Sequence, residues 1–120
     1  MNEISENQPS TTSPIDPEAL LSVYPNDESK RIKLLTRFGP QLKQLEQQVQ
    51  NALAVNDHKQ GRFLAHKLKS SSKGIGAMAL SDLCLKIEMA AKDNANDLSQ
   101  FRSLLKDRST EVLDYIRQLK

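Results

Sequence analysis

Apolar residues recur every three or four positions through most of the chain, and this spacing limits the possible folds more than any other feature. An α-helix turns once in about 3.6 residues, so such spacing places the apolar side chains on one face. The longest stripe follows Glu28 and consists of Ile32, Leu35, Phe38, Leu42, Leu45, Val49, Ala52 and Leu53. Runs of β-branched and aromatic residues, which are typical of strands, are missing from the sequence. The pattern therefore predicts an all-α fold.

Capping and turn residues divide the pattern into one short helix and four long ones. The short helix is predicted to begin with Asp16 as N-cap and Pro17 as its first residue, and to end near Tyr24. The long helices are predicted from Glu28 to the turn at Asn56-Asp57, from that turn to the "GIG" of residues 74–76, from residue 77 to "DNAND", and from Leu98 to the end.

Two residues that disfavour a helix, Gly39 and Pro40, interrupt the longest stripe without changing its phase. We therefore expect one kinked helix at this point, with a true break as the alternative. Four long amphipathic helices with short connections predict an antiparallel up-and-down four-helix bundle, preceded by the short helix.

The N-terminal stretch "MNEISENQPSTTSP" is polar and has no periodicity. It predicts a disordered leader or linker over residues 1–15, followed by one bundle domain over residues 16–120. Such a leader also fits the tether of a longer chain, whereas Met1 favours a separate protein, which is what we expect.

The composition argues against several classes of function. A net charge of +2 attracts nucleic acid or an anionic membrane only weakly unless the charges are clustered. No apolar run approaches the roughly 20 residues that span a bilayer. Cys84 is the only cysteine, so it forms no internal disulfide, and no secretory leader is recognisable. We expect a cytoplasmic protein that binds neither nucleic acid nor membrane.

The chemically distinctive stretch is "FLAHKLKSSSKGIGA", residues 63–77. Projected at about 100° per residue, His66 lies on the polar face of its helix, opposite Leu64 and Leu68. The residues within roughly 60° of it are Lys59, Arg62, Lys69, Ser70 and Lys73. His66 is therefore predicted to face solvent within a basic stripe.

A histidine in this setting has a specific chemical use. Its neutral ring nitrogen is a nucleophile that can take a phosphoryl group from an aspartyl phosphate, and nearby lysines neutralise phosphoryl oxygens. The small Ser70 would let a partner approach closely, and Phe63 at the edge of the face would supply an apolar contact. The same position also fits a solvated surface histidine without any chemistry.

Other candidate roles have less support. A metal site at His66 is disfavoured because lysines surround the imidazole instead of carboxylates that would orient it. His58 is expected to be a surface residue, and Cys84 to be buried and inert. Gly74 and Gly76 are expected to form the C-terminal cap of the histidine helix and a tight turn, with close helix packing as an added role for Gly76.

Residues 65–88, "AHKLKSSSKGIGAMALSDLCLKIE", resemble the histidine-containing phosphotransfer (HPt) domain family. The family pattern is Ala-His-x-Leu-Lys and small residues, then a glycine ten positions after the histidine and a leucine-rich helix. The matching positions are His66, Leu68, Lys69, Gly76, Ala77, Leu80, Cys84 and Glu88. Ser70 stands where the family most often has glycine. Serine is the next smallest residue, so receiver docking is expected to survive, with an effect on partner choice or transfer rate.

This resemblance implies a four-helix bundle and a function as a phosphoryl carrier. His66 would accept the phosphoryl group from a receiver-domain aspartyl phosphate, Lys69 would steady it, and a response regulator receiver would take it up. The expected partners are receiver domains and a hybrid sensor histidine kinase. No cofactor is expected in this chain, while the partner receiver is expected to hold a divalent metal. The docking residues would be Lys59, Arg62, Phe63, Ser70 and Lys73, with Gly76 in a structural role.

No ATP-binding or kinase activity is expected, because the "GIG" follows no strand and lacks the Lys-Ser/Thr ending of a phosphate-binding loop. The dimerisation region of a histidine kinase is a rival interpretation, but that family usually has an acidic residue directly after its histidine. Here Lys67 follows, and one chain completes the bundle, which predicts a monomer. An adaptor bundle that binds an acidic partner through its basic face, without covalent chemistry, remains the alternative function.

Overall fold

The computed structural model describes residues 13–119, and within this range the chain forms α-helices and no strand. The helices are α1 (Pro17–Leu21), α2 (Glu28–Ala54), α3 (His58–Gly74), α4 (Met78–Lys92) and α5 (Ser99–Arg117). The all-α prediction is confirmed. Most of the predicted leader over residues 1–15, and the last residue of the predicted domain, Lys120, lie outside the described residues.

The four long helices close into a ring, because α2 and α4 each contact both α3 and α5. The connections over residues 55–57, 75–77 and 93–98 are short, so successive helices run antiparallel. The predicted up-and-down bundle with a short leading helix is confirmed. Its core is made of fully buried side chains that include Leu42, Val49, Leu68, Leu80, Ile87, Leu105 and Val112.

Helix α2 continues through Pro40, so the alternative of two separate helices is wrong. Leu35 and Phe38 before the proline and Leu42 after it are all buried, which shows that the apolar stripe keeps its phase across the interruption. The burial of this stripe offsets the hydrogen bond that a proline inside a helix removes.

Carboxylates cap the first three helices. The Oδ1 atoms of Asp16, Asp27 and Asp57 accept hydrogen bonds from the backbone N–H groups two or three residues later, at 3.0, 3.0 and 3.1 Å. Each satisfies one N–H group that a helix start leaves without an intrahelical partner. Helix α1 ends at Leu21, three residues before the predicted Tyr24, since the backbone turns there.

Helix α1 packs against the turn between α3 and α4. The backbone N–H of Asp16 donates to the carbonyl oxygen of Gly76 at 2.8 Å, and Ile15 and Leu20 are buried. Ile15 lies within the predicted leader but is buried, so the packed part of the chain begins before the predicted boundary at residue 16. The turn that follows α3 is thereby held in place at Gly76, ten residues beyond His66.

The turn between α3 and α4 requires a glycine at position 76. Its φ is +85°, and a Cβ atom there would lie 2.6 Å from the carbonyl oxygen of Asp16. Only glycine combines that backbone conformation with so close an approach. The expectation that Gly74 caps the helix is wrong, because α3 continues through it to a cap at Ile75, and a Cβ at Gly74 would meet no atom within 4 Å.

Within residues 13–119, no helix has both the length and the apolar character needed to cross a bilayer.

Candidate functional site

His66 lies in the middle of α3, with 59% of its side chain exposed, as the helical projection predicts. The opposite face of α3 holds the buried Leu64, Ala65 and Leu68, which pack into the core. Because both faces belong to one rigid helix, the burial of these residues fixes the direction in which His66 points.

Glu88 on α4 contacts the imidazole. Its Oε2 lies 3.1 Å from the Nδ1 atom of His66, and only 18% of the Glu88 side chain is exposed. The expectation that lysines surround this histidine in place of an orienting carboxylate is therefore wrong. The carboxylate comes from the neighbouring helix, which the projection of α3 alone does not represent.

Lys69 binds the other oxygen of the same carboxylate. Its Nζ donates to Glu88 Oε1 at 2.9 Å, so Glu88 joins His66 and Lys69. Partial burial raises the pKa of Glu88, but hydrogen bonds from Lys69 and His66, and the attraction of their charges, together lower it below its usual value. Glu88 is therefore ionised at neutral pH.

The ionised carboxylate determines which ring nitrogen carries the proton. Because it can only accept hydrogen bonds, the His66 Nδ1 atom must be the donor. In the neutral imidazole, Nε2 then keeps its lone pair. The site thus presents an oriented nitrogen nucleophile on an exposed face of the bundle.

The other predicted site residues on α3 are all exposed: Lys59, Arg62, Phe63, Ser70 and Lys73. Ser70 and Lys73 join Lys69 along a groove of about 320 Å³ between α3 and α4. Lys59 and Arg62 lie nearer the start of α3, on the same polar side as His66.

An apolar surface on α4 was missed by the sequence reasoning. Met78, Leu85 and Met89 are large and exposed, and their spacing places them on one face of the helix. Met78 and Leu85 line the groove that contains Lys69, and Met89 follows Glu88 directly. These three residues of α4 form what we call the exposed apolar face. Surfaces of this kind beside a polar site are typical of protein interfaces.

Two residues set aside by the sequence reasoning have structural roles. His58 is half-buried, and its Nε2 lies 2.7 Å from the carbonyl oxygen of Ala95, so the prediction of a plain surface residue is wrong. Cys84 is buried as predicted, and burial raises the pKa of its thiol to about 12, which leaves it unreactive. Among residues 13–119, no cluster of three or more His, Cys, Asp or Glu side chains is arranged to hold a metal ion.

Comparison with known proteins points to one family. Residues 33–120 match the Hpt domain. The fold is similar to histidine-containing phosphotransfer protein B (HptB) from Pseudomonas aeruginosa PAO1, with a TM-score of 0.81 and 21% identity over 89% of this chain and 94% of that one. It is also similar to the HPT domain of the Hpt sensor hybrid histidine kinase from Shewanella, with a TM-score of 0.75 and 24% identity over 88% and 92%. No curated protein matches the chain in sequence.

Proposed function

The chain belongs to the Hpt domain family, and on that premise we propose that it carries a phosphoryl group on His66 between two receiver domains. The observation that most supports this role is the contact between His66 Nδ1 and Glu88, which leaves Nε2 exposed with its lone pair. The donor would be the aspartyl phosphate of one receiver, and the acceptor would be the aspartate of a response regulator receiver.

The transfer step forms one bond and breaks another, and it releases no proton from the site. Nε2 attacks phosphorus, a P–N bond forms, and the P–O bond to the receiver aspartate breaks, so that the aspartate leaves as a carboxylate. The ring keeps its proton on Nδ1 and becomes positively charged. Glu88, 3.1 Å away, stabilises that charge, and the same arrangement serves the reverse step.

Lys69 is the residue proposed to steady the phosphoryl group. Its ammonium is held 2.9 Å from Glu88 on a flexible stem, so it can reach toward negative oxygens that arrive at Nε2. This chain supplies an oriented nucleophile and a cation. The expected divalent metal of the partner receiver would neutralise further charge during the reaction.

A receiver domain fits the surface around His66. Lys59, Arg62 and Lys73 are exposed on the same helix and would attract the acidic pocket that surrounds a phosphorylatable aspartate. Ser70, the exposed Phe63 and the exposed apolar face of α4 would provide the close and partly apolar contact. We infer that the chain is a monomeric carrier without kinase activity, and that a hybrid sensor histidine kinase supplies its phosphoryl group.

The proposal is tested by mixing the protein with a phosphorylated receiver domain and measuring phosphate on the protein. Wild type should acquire phosphate that is labile in acid and stable in base, and His66→Gln should acquire none. The matched control is His58→Gln, which changes the other histidine of the chain and should be phosphorylated as wild type.

The competing function is an adaptor bundle whose basic side binds an acidic partner without covalent chemistry. It draws support from the exposed Lys59, Arg62 and Lys73. In that case several receivers, each shown to be phosphorylated, would transfer nothing. Binding of the acidic partner would depend steeply on salt and would be unaffected by His66→Gln.

A further inference from the structure

Ser70 lies one helical turn after His66 and is exposed. A serine adds a hydroxyl group that can donate and accept hydrogen bonds. Its place relative to the imidazole suggests a use for that group, and the inference rests on the proposed function above.

The two flanks of α3 differ around His66. Lys69 contacts Glu88 of α4, so its flank faces α4. Ser71 and Gly74 line a groove together with Arg37 of α2, so their flank faces α2. Projected at about 100° per residue, Lys69 lies about 60° from His66 toward α4, and Ser70 lies about 40° from it toward α2.

The contact with Glu88 leaves the reactive nitrogen of the imidazole on the far side of the ring. Glu88 holds Nδ1 on the α4 flank, so Nε2, across the ring, lies away from Glu88. Side chains on a helix lean toward its N-terminus, which brings the Ser70 hydroxyl back over the turn that carries His66. Residues four apart on a helix are also surface neighbours.

The hydroxyl of Ser70 is also available. Serines on helices often bond to a backbone carbonyl, as Ser22 does to Ala19 and Ser81 does to Lys69. Among residues 13–119, Ser70 Oγ makes no such bond. It lines both the groove toward α2 and the groove toward α4, which places it on the crest of the helix between them.

We propose that Ser70 is a further catalytic residue, whose Oγ–H donates a hydrogen bond to the phosphoryl group carried on His66 Nε2. Lys69 would hold the group from the α4 flank and Ser70 from the α2 flank. The covalent step is unchanged: the P–N bond forms at Nε2, and the P–O bond to the receiver aspartate breaks. The hydroxyl stabilises the phosphorylated protein without exchanging its proton.

The test is the equilibrium constant for exchange of the phosphoryl group between a receiver domain with its divalent ion and this protein. That constant depends only on the free, separated species, so changes in docking cancel while a contact with the phosphoryl group does not. Ser70→Ala should lower it about three- to tenfold, as expected for one ordinary hydrogen bond at a site exposed to solvent. Ser70→Thr, which keeps the hydroxyl, should stay near wild type.

The control is Ser103→Ala, which removes an exposed serine from α5 and should leave the constant unchanged. Circular dichroism checks that each variant is folded. An unchanged constant in Ser70→Ala, with only the transfer rate altered, would show that Ser70 merely shapes the docking surface. A Ser70→Thr constant as low as that of Ser70→Ala would also overturn the proposal. Failure of wild type to accept phosphate would instead remove the proposed function itself.

Discussion

The two histidines of the chain lie on the same helix, eight residues apart, and their surroundings make them chemically different. His58 Nε2 contacts the backbone carbonyl of Ala95, which fixes its proton on Nε2 and ties the start of α3 to the connection before α5. His66 instead contacts a carboxylate through Nδ1 and leaves Nε2 open.

The acceptor, and the nitrogen that it engages, distinguish the structural His58 from His66, the proposed phosphoacceptor. A neutral carbonyl holds His58 in place but offers no charge to stabilise a positive ring. The Glu88 carboxylate holds the His66 ring in place and would also stabilise a positive charge on it. The same carboxylate keeps Lys69 close to His66.

Glu88→Ala should have the largest effect. It removes the group that orients the ring and stabilises its positive charge, so transfer should slow roughly 10- to 100-fold, the range expected for one hydrogen bond to a charged group. The Glu88→Gln side chain can still accept a hydrogen bond from Nδ1, so its transfer rate should lie between those of wild type and Glu88→Ala. Single-turnover kinetics with a phosphorylated receiver measure this. A wild-type rate in Glu88→Ala would mean that the carboxylate plays no part.

Lys69→Met should slow transfer about tenfold, because the phosphoryl group loses a cation while the apolar stem is retained. The matched control is Lys67→Met, which removes an exposed lysine from the same helix at about 100° from His66. Equal losses in the two variants would point to general attraction between the proteins instead of a specific contact.

His58→Ala should affect stability and leave transfer unchanged. It removes the hydrogen bond to the Ala95 carbonyl, which we expect to lower the free energy of unfolding by about 1 kcal/mol. Urea denaturation followed by circular dichroism measures the loss, and the phosphate assay measures transfer. A large loss of transfer with intact folding would instead place His58 in the reaction.

The smallest effect concerns pH. The pKa of Glu88 is lower in the folded chain than its ordinary value of 4.5, so the unfolded state binds protons more readily. This stabilisation is fully present above pH 4.5 and is lost as the pH falls through the lowered folded value. Relative to Glu88→Gln, the stability of wild type should therefore decline below that pH. If the free energies of unfolding of the two proteins changed in parallel with pH, the lowered pKa of Glu88 would be contradicted.

The fold could be predicted from the sequence because its determinants are local. The apolar stripes of α2 to α5 and the caps at Asp16 and Asp57 each lie within one helix or its first turn. The continuity of α2 at Pro40 could be predicted in the same way, because the apolar stripe keeps its phase across the proline. The contact of α1 with Gly76 was not predictable in this way, because it joins residues about 60 positions apart.

The site could be predicted only where it lies on α3. The projection placed His66 and Lys69 correctly, but Glu88 comes from α4, and the periodicity of one helix does not set its register against another. A signal for the exposed apolar face was present. Met78, Leu85 and Met89 lie outside the buried stripe of α4, so that helix has more apolar residues than one core face requires.

Identifying the phosphorylated nitrogen by ¹⁵N and ³¹P nuclear magnetic resonance, after transfer from a receiver, tests the proposed orienting role of Glu88 most directly. That role predicts phosphorus coupled to Nε2 of His66, with the proton remaining on Nδ1. Phosphorus on Nδ1 of His66, or on either nitrogen of His58, would contradict it, since the contact with Glu88 would then not select the reactive atom.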